Sequence, residues 1–397
     1  MLIMTSSMSV VVFAICVLES THAALVQRIQ FVAGGIDIRG PMGIAVDPLG
    51  TGGLYIADTE NFRVRVATMP PATSPAATAT LITYAGSGRI GSSGDSGAAT
   101  AAEFGYPTSV VVDISGNVYI CDQDNNNIRM VATGNVRKVS TIAGSGGNGN
   151  YGGDGGPATK ATLNMPYSVA VDSSGNVYIS DQSNHRIRYV SGASGIISTV
   201  VGTGTAGSTG DGGAATSALI YLPQGVALAA NADLYIADSN RIRRREFATG
   251  LLTTVAGTGQ AGYRGDDGLA TMASLNKPSG VAVSSGSGSG DTVTLYIADS
   301  ANRRVRMVRK GVITTLAGTG AEGSSGDGGL PTAALLSYPV GVAVTADGGT
   351  VYVADLTGGS VRRVVAVDQG EVTSVEASAD LRYLGALAAV VPIIAMR

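Results

Sequence analysis

Tryptophan is absent from this 397-residue chain, and cysteine and histidine occur only twice each. Cys16 lies in an apolar N-terminal segment, so Cys121 has no internal partner once that segment is removed. A disulfide framework is therefore not expected. A zinc site built from several histidines is also not expected, because His22 lies in the same segment and leaves His185 alone. The buried position predicted for Cys121 favours a core residue over a nucleophile.

Charged residues are scarce and nearly balanced. They make up 14% of the chain, whereas typical soluble domains have roughly 25%. The net charge is −3, and loss of Glu19 with the N-terminal segment would leave 26 basic and 28 acidic residues, a net charge of −2. This balance gives no long-range attraction to nucleic acid, so we expect no nucleic-acid partner.

Long apolar runs are missing as well, since a spanning helix needs about 20 residues. The N-terminal run Met8–Leu18 has 11 residues and suits a signal peptide, with small residues placed for cleavage after Ala23. We predict a signal peptide over 1–23, a folded domain over 24–370 and a tail over 371–397. The tail holds 13 apolar residues interrupted by Pro392. A packed terminal segment and an anchor signal both stay open, so the expected location is secreted or cell-surface.

What the chain does have is a repeat rich in glycine, of which there are 57 residues. An apolar run ending in Asp, such as LYIAD, recurs six times, at Asp58, Asp122, Asp181, Asp238, Asp299 and Asp355. The spacings are 64, 59, 57, 61 and 56 residues. Six anchors at a nearly constant period indicate a repeat protein.

Each unit has the pattern of four strands joined by tight turns. The first two strands are apolar at odd and even positions alike, so neighbouring sheets are expected to cover both of their faces. The sequence therefore predicts an all-β fold, a six-bladed β-propeller of four-stranded antiparallel blades. The segment Val26–Gly35 matches a fourth strand but precedes the first unit, so we predict that it completes the sixth blade. Gly370–Ala377 could compete for that place.

The repeated pattern P-x-G-V-A-V-D, G-N-V-Y-I-A-D-x-x-N-x-R-I-R and I-T-T-V-A-G-T-G resembles the NHL-repeat family over roughly residues 27–367. The version here is similar to NHL domains of teneurin-like and other extracellular proteins. Asn240 comes one residue early in its unit, and Gly358 replaces the usual Asn. The resemblance implies an interaction scaffold. Related propellers also include lyases and hydrolases with metal sites at the channel.

Arginines recur on the third strand, five and seven residues after the anchoring Asp. Because the Asp ends the neighbouring strand, an Asp–Arg clamp across each hairpin is the expected role. A nucleic-acid-binding stripe is the disfavoured alternative. We name three such pairs: Asp58–Arg63, Asp181–Arg186 and Asp299–Arg304.

A glycine-rich loop joins the fourth strand of one unit to the first strand of the next, five times. Each loop contains one dependable carboxylate, at Asp95, Asp154, Asp211, Asp266 and Asp327. We expect these side chains to accept backbone N–H bonds and so to hold the loop at the blade edge. No cofactor is predicted. Calcium at these five residues is the weaker alternative, because one carboxylate per loop is far from the 6–8 oxygens of a calcium site.

Antiparallel topology places these loops and the D-x-x-N turns on one face of the propeller. Six residues that follow the loop prolines should meet there, at the mouth of the central channel: Met42, Thr108, Tyr167, Gln224, Ser279 and Val340. They differ between blades while the frame repeats, which is typical of a binding surface. We expect a monomeric scaffold that binds a protein or a glycan without catalysis. The alternative is a calcium-dependent enzyme of lactonase or lyase type with carboxylates at the channel mouth.

Overall fold

A computed structural model describes residues 25–35, 37–68, 79–147, 149–285 and 293–368. The predicted signal peptide and tail, with Gly370–Ala377, lie outside the described residues. Within them the chain is all β apart from single turns of 3-10 helix. No helix there has the length and apolar character needed to cross a bilayer.

The strands follow the predicted repeat, and the first strand of a blade usually starts at or near a loop proline. They are β1 Leu25–Gly34; β2 Pro41–Val46, β3 Gly53–Asp58, β4 Arg63–Thr68 and β5 Thr80–Ala85; β6 Pro107–Val112, β7 Val118–Asp122, β8 Asn127–Ala132 and β9 Lys138–Ala143; β10 Pro166–Val171, β11 Val177–Asp181, β12 Arg186–Val190 and β13 Ile197–Val201; β14 Val226–Leu228, β15 Leu234–Asp238, β16 Arg241–Arg245 and β17 Leu252–Ala256; β18 Gly268–Leu269, β19 Pro278–Ser285, β20 Val293–Asp299, β21 Arg304–Arg309 and β22 Val312–Ala317; β23 Pro339–Val344, β24 Thr350–Asp355 and β25 Ser360–Asp368.

These strands form six antiparallel sheets, one per repeat, and the prediction of a six-bladed β-propeller is confirmed. Five sheets have four strands, and the fifth blade gains the two-residue β18 at its outer edge. The first strands of successive blades contact one another in a closed ring, β2–β6–β10–β14–β19–β23 and back to β2. These six strands are therefore the inner strands around a central channel.

The ring closes as the sequence predicts. β1 pairs with β25, so a strand from the N-terminal end is the outer strand of the sixth blade. Ile29 of β1 exchanges backbone hydrogen bonds with Gly328 and Gly329 of the preceding loop. Ile197 makes the same pair of bonds with Gly155 and Gly156 in blade three. β1 thus stands where a fourth strand belongs.

Each glycine-rich loop covers the outer edge of the blade that follows it. Its backbone pairs with the fourth strand of that blade, as in the bridges Ala98–Lys138, Pro157–Ile196 and Ala214–Leu251. An unpaired outer strand would expose N–H and C=O groups that invite pairing with another chain. The loops satisfy part of this edge in blades two to six.

The core is divided into six clusters, each filled from two adjacent blades. In one of them Val64 of the first blade packs with Ile120 of the second, and Phe104 from the intervening loop is fully buried beside them. Because both faces of the second strands are buried, these strands have no polar face. This explains the continuous apolar runs in the sequence.

Glycine allows the inner strands to approach closely around the channel. A Cβ built on Gly225 would lie 2.6 Å from the carbonyl oxygen of Ser279, and one on Gly280 would clash with the carbonyl of Val340. Larger residues are excluded there by the neighbouring backbone. The ring of inner strands encloses a cavity of about 270 Å³.

Candidate functional site

Five fully buried arginines join the strands of blades two to six to the glycine-rich loops that cover them. They are the largest buried side chains of the described chain and lie on the third strands: Arg129, Arg188, Arg243, Arg306 and Arg362. A buried guanidinium needs paired charge and full hydrogen bonding, because its desolvation is costly. Its partners therefore determine the local structure.

Arg188 shows the arrangement in blade three. Nη1 lies 3.1 Å from Asp181 Oδ2 at the end of β11, and Nε donates to Asp154 Oδ1 of the glycine-rich loop at 3.1 Å. The loop carbonyls of Gly152 and Thr162 accept from the same side chain at 3.1 and 3.2 Å. One arginine thus joins the hairpin to the loop that covers the blade.

The same double ion pair recurs in blades two, four and five. Arg129 bridges Asp122 and Asp95, and Arg243 and Arg306 do the same in their blades with Asp238 and Asp211, and with Asp299 and Asp266. In blade six Arg362 pairs with Asp327 at 2.9 Å. Blade one has no long loop before it, and there Arg65 pairs with Asp58 at 3.5 Å.

The prediction of the clamp needs a correction. Arg63, Arg186 and Arg304 lie opposite the anchoring aspartates in the strand register, yet the ion pairs go to arginines two positions later. The carboxylate of Asp181 turns towards the loop, where it accepts bonds from the backbone N–H of Asn164 and from Asn184 Nδ2. The arginine that reaches this point is Arg188.

The first arginine of each pair has a different role. Arg186 donates to the carbonyl of Thr203 at 2.5 Å and lies over the ring of Tyr151, 3.5 Å from its centroid. Arg304 lies in the same way over Tyr263 at 3.6 Å. In four of the five long loops the second glycine of the G-x-G motif passes under this guanidinium, so that a side chain at Gly204 would clash with Arg186.

The five loop aspartates belong to the same arrangement. We call it the arginine lock: the buried third-strand arginine of a blade together with the aspartates that it pairs with. Asp95 and Asp154 accept backbone N–H bonds as predicted, but from Thr141 and Thr199 of the fourth strand. Asp211 and Asp266 accept from the hydroxyls of Thr254 and Thr315, both at 2.6 Å. Each carboxylate thus ties its loop to the blade by an arginine or by both an arginine and a threonine. Calcium at these five positions remains the alternative prediction.

The two carboxylates around one arginine titrate in opposite directions. Burial raises the pKa of Asp181, against hydrogen bonds from Asn184 and Asn164 and the charge of Arg188. Burial alone would also raise the pKa of Asp154, but hydrogen bonds from Thr199 and Tyr151 and the charge of Arg188 lower it. The surroundings therefore favour the ionised form more strongly for Asp154, the carboxylate in the loop, than for Asp181.

The predicted mouth residues come together. Met42, Thr108, Tyr167, Ser279 and Val340 line the central cavity. Gln224 occupies the corresponding position in blade four and is not among the lining residues. Its Oε1 is buried and has no hydrogen-bond partner in the described part of the chain. The six positions thus form one rim, to which blade four contributes an unsatisfied amide oxygen.

A tyrosine crosses this rim. The hydroxyl of Tyr167 from blade three is hydrogen-bonded to Ser279 of blade five, and burial raises the pKa of Tyr167 against that bond. Tyr106 and Tyr338 lie close enough to influence the same hydroxyl. Sequence analysis did not select these two tyrosines, although each directly precedes a loop proline. We call the six rim residues together with Tyr106 and Tyr338 the mouth face.

Neither remaining candidate for nucleophilic chemistry is placed for it. Cys121 is fully buried in β7, and burial raises the pKa of its thiol well above the ordinary range. His185 stacks on Tyr221, and its Nδ1 accepts from the backbone N–H of Leu222 at 3.1 Å. No three His, Cys, Asp or Glu side chains among the described residues come together in a way that could hold a metal ion.

Comparison with known proteins adds sequence relatives. The model of the teneurin NHL domain matches residues 145–209. The chloroplastic protein SUPPRESSOR OF QUENCHING 1 of Arabidopsis thaliana is 30% identical over 301 residues, 71% of this chain and 27% of that protein. NHL repeat-containing protein 2 of Bos taurus is 26% identical over 279 residues, 63% of this chain and 37% of that protein. This chain therefore spans well under half the length of either relative.

Solved structures share the fold at low sequence identity. An auxiliary nutrient binding protein from Bacteroides ovatus superposes with a TM-score of 0.60 and 17% identity, covering 87% of this chain and 78% of that chain. A gluconolactonase from Xanthomonas campestris gives a TM-score of 0.50 and 12% identity, covering 87% of this chain and 98% of that chain. At these identities the likeness concerns the fold alone.

The two arginines of one strand should differ sharply in their contribution to stability. Replacing the fully buried Arg188 by Met leaves Asp181 buried without its counter-charge, and we expect a loss of about 3–5 kcal/mol in the free energy of unfolding. Arg186→Met is the matched control. It removes carbonyl hydrogen bonds and an aromatic stack at a half-exposed site, worth about 0.5–1 kcal/mol for the stack. Urea denaturation measures both, and equal losses would contradict the assignment of the lock to Arg188.

The pH dependence of stability should reveal the ionised carboxylate of Asp154. A carboxyl group whose pKa is lower in the folded than in the unfolded chain stabilises the fold above its ordinary value of 3.8. That contribution is lost as the pH falls through the folded value. The melting temperature of the wild-type protein should thus exceed that of Asp154→Asn near neutral pH, and the gap should shrink below about pH 4. A gap that stays constant from pH 7 to pH 3 would show that the charge of Asp154 is not involved.

Proposed function

This chain belongs to the NHL-repeat β-propeller family, and on that basis we propose that it is a secreted or cell-surface scaffold whose mouth face binds a protein or a glycan. The supporting observation is the contrast between frame and rim. The arginine locks and glycine turns repeat from blade to blade, whereas the six rim residues differ in every blade. Such variation on a fixed frame is how repeat proteins acquire selectivity.

The chemistry of the rim suits recognition of a neutral or weakly polar surface. None of Met42, Thr108, Tyr167, Gln224, Ser279 or Val340 is charged. Tyrosine supplies a large contact area at a small cost in side-chain entropy and keeps a hydroxyl for hydrogen bonding. The Oε1 of Gln224 is buried without a hydrogen-bond partner among the described residues, so this side chain would have to turn towards the mouth to accept a hydrogen bond from a partner.

We propose a binding role without catalysis. A metal-dependent propeller enzyme needs several ligands at the channel, whereas the described inner strands line the cavity with glycine and with aliphatic, methionine and hydroxyl-bearing residues. The calcium-dependent alternative would place convergent carboxylates there. The absence of carboxylates from the described lining of the cavity supports the scaffold over the calcium-dependent enzyme.

The mouth face should be needed for capture of the partner. Full-length protein immobilised on beads would be exposed to an extracellular protein fraction and to a glycan array. The double variant Tyr167→Ala, Gln224→Ala should bind the captured ligand at least about tenfold more weakly, as expected when central anchors of an interface are truncated.

The control for this experiment is Ile114→Ala. Ile114 lies in the turn after a first strand, on the opposite face, and is 61% exposed. The affinity of the Ile114→Ala variant for the captured ligand should match that of the wild-type protein. Binding that survives the double variant but is lost in Ile114→Ala would move the interface to the other face. Turnover of a lactone by the wild-type protein, abolished by a calcium chelator, would contradict the scaffold and favour the enzyme.

Secretion has its own test. We propose that residues 1–23 are removed and that the mature chain begins at Ala24. Intact-mass analysis of the endogenous protein from the medium or cell surface should give that N-terminus. Because the Arabidopsis relative is named as chloroplastic, organelle fractions should be analysed in parallel. Recovery of the protein only from an internal organelle, or with Met1 in place, would contradict secretion.

A further inference from the structure

A second cleft lies between blades three and four, on the face opposite the mouth face. Its volume is about 810 Å³, and its lining includes Asp172, Tyr178, Tyr189, Arg245 and Phe247. It is formed by the turns after the first strands and by the ends of the third strands. No part of the proposed mouth-face function uses it.

Blade four breaks the repeat at this cleft. Arg245 lies opposite Leu234, the first residue of β15. The corresponding residue in each of the other five blades is a buried aliphatic one: Ala67, Val131, Val190, Val308 and Val364. A charged side chain therefore replaces an inter-blade core residue in this blade.

Two further departures lie at the same cleft. Ala229 stands where the turn of blade three has Asp172, as the matching backbone bonds Ala229 N–H to Asp233 and Asp172 N–H to Asn176 show. Phe247 stands where blade three has Gly192, since both backbone N–H groups donate to the side chain that ends the turn. Phe247 is 56% exposed. The small turn residue Ala229 and the exposed ring of Phe247 thus line the same cleft as Arg245.

The guanidinium of Arg245 has no hydrogen bond or ion pair within the described residues. The nearest carboxylate of the lining, Asp172, is occupied by its own turn. Its Oδ1 accepts from the backbone N–H groups of Ser174 and Asn176, and its Oδ2 accepts from Asn176 Nδ2. Arg245 is half-buried and lines the cleft together with Tyr178, Tyr189 and Phe247, so its charge is open to a ligand that enters the cleft.

We propose that this cleft binds a small organic monocarboxylate with an aromatic or aliphatic body, paired with Arg245 and packed against Phe247 and Tyr189. Guanidinium and carboxylate match in a planar two-bond geometry. The apolar body would cover Val200, Leu228 and the exposed ring, all of which line the cleft. A phosphate dianion fits less well, because the lining offers one cation and holds the carboxylate of Asp172 nearby.

Titration calorimetry of the full-length protein with hippurate tests this inference. Hippuramide is the neutral counterpart and phenyl phosphate the dianionic one. Arg245→Val restores the aliphatic residue of the other blades and is therefore expected to fold. It should weaken hippurate binding about ten- to a hundredfold, as loss of a charge-assisted pair predicts. Phe247→Gly, the residue of blade three, should weaken it less.

The control variant is Arg309→Val, which removes an exposed arginine from the same face of blade five. Hippurate should bind it as it binds the wild-type protein, and hippuramide should bind neither. The inference is overturned if hippurate does not bind the wild-type protein in the millimolar range, or if hippuramide binds as well. It is equally overturned if Arg245→Val and Arg309→Val lose affinity alike, or if phenyl phosphate binds more tightly. None of these outcomes depends on the mouth face, so this cleft and the proposed scaffold role fail or stand separately.

Discussion

In blades two to six, the attachment of the glycine-rich loops depends on one buried arginine per blade. Arg188 spans from Asp181 at a strand end to Asp154 in the covering loop and also satisfies two loop carbonyls. A buried ion pair contributes little net stability compared with an apolar replacement, but its loss is expensive. Its value in this fold is geometric. A guanidinium without side-chain freedom fixes the loop to one position on the blade edge, and a covered edge prevents pairing with another chain.

Glycine makes that geometry possible, which gives a physical cause for the unusual composition. Gly204 passes beneath Arg186, and Gly210 lies so close to Ala218 that a Cβ would sit 2.7 Å from its Cα. Both have positive φ, which disfavours any other residue. Similar positions recur in the other long loops, so five loops concentrate the glycines of the chain. The scarcity of charge has the complementary cause, because six sheets with two buried faces leave few strand positions for solvated side chains.

Most of the fold could be predicted from the sequence because it repeats. Period, strand number, the closing strand and the identity of the mouth rim all follow from six aligned copies. The clamp partner could not be predicted in the same way. Register places Arg186 opposite Asp181, but the choice of Arg188 depends on where the loop delivers Asn164 and Asp154, a contact between segments distant in sequence. The rim tyrosines Tyr106 and Tyr338 were missed for a similar reason, since their proximity to Tyr167 depends on ring closure.

Departures from the repeat are more informative than the repeat itself. A repeated residue has a structural explanation that holds in every blade, as the locks show. A residue found in one blade alone has to be explained by something that this blade does. Arg245 is such a residue, because five blades show that the fold prefers an aliphatic side chain at its position. The stability that Val would provide there has been given up for a charge without a partner. Each of the five fully buried third-strand arginines is paired with a carboxylate, so a third-strand arginine without such a pair, at a position that is aliphatic in the other blades, indicates a partner from outside the chain.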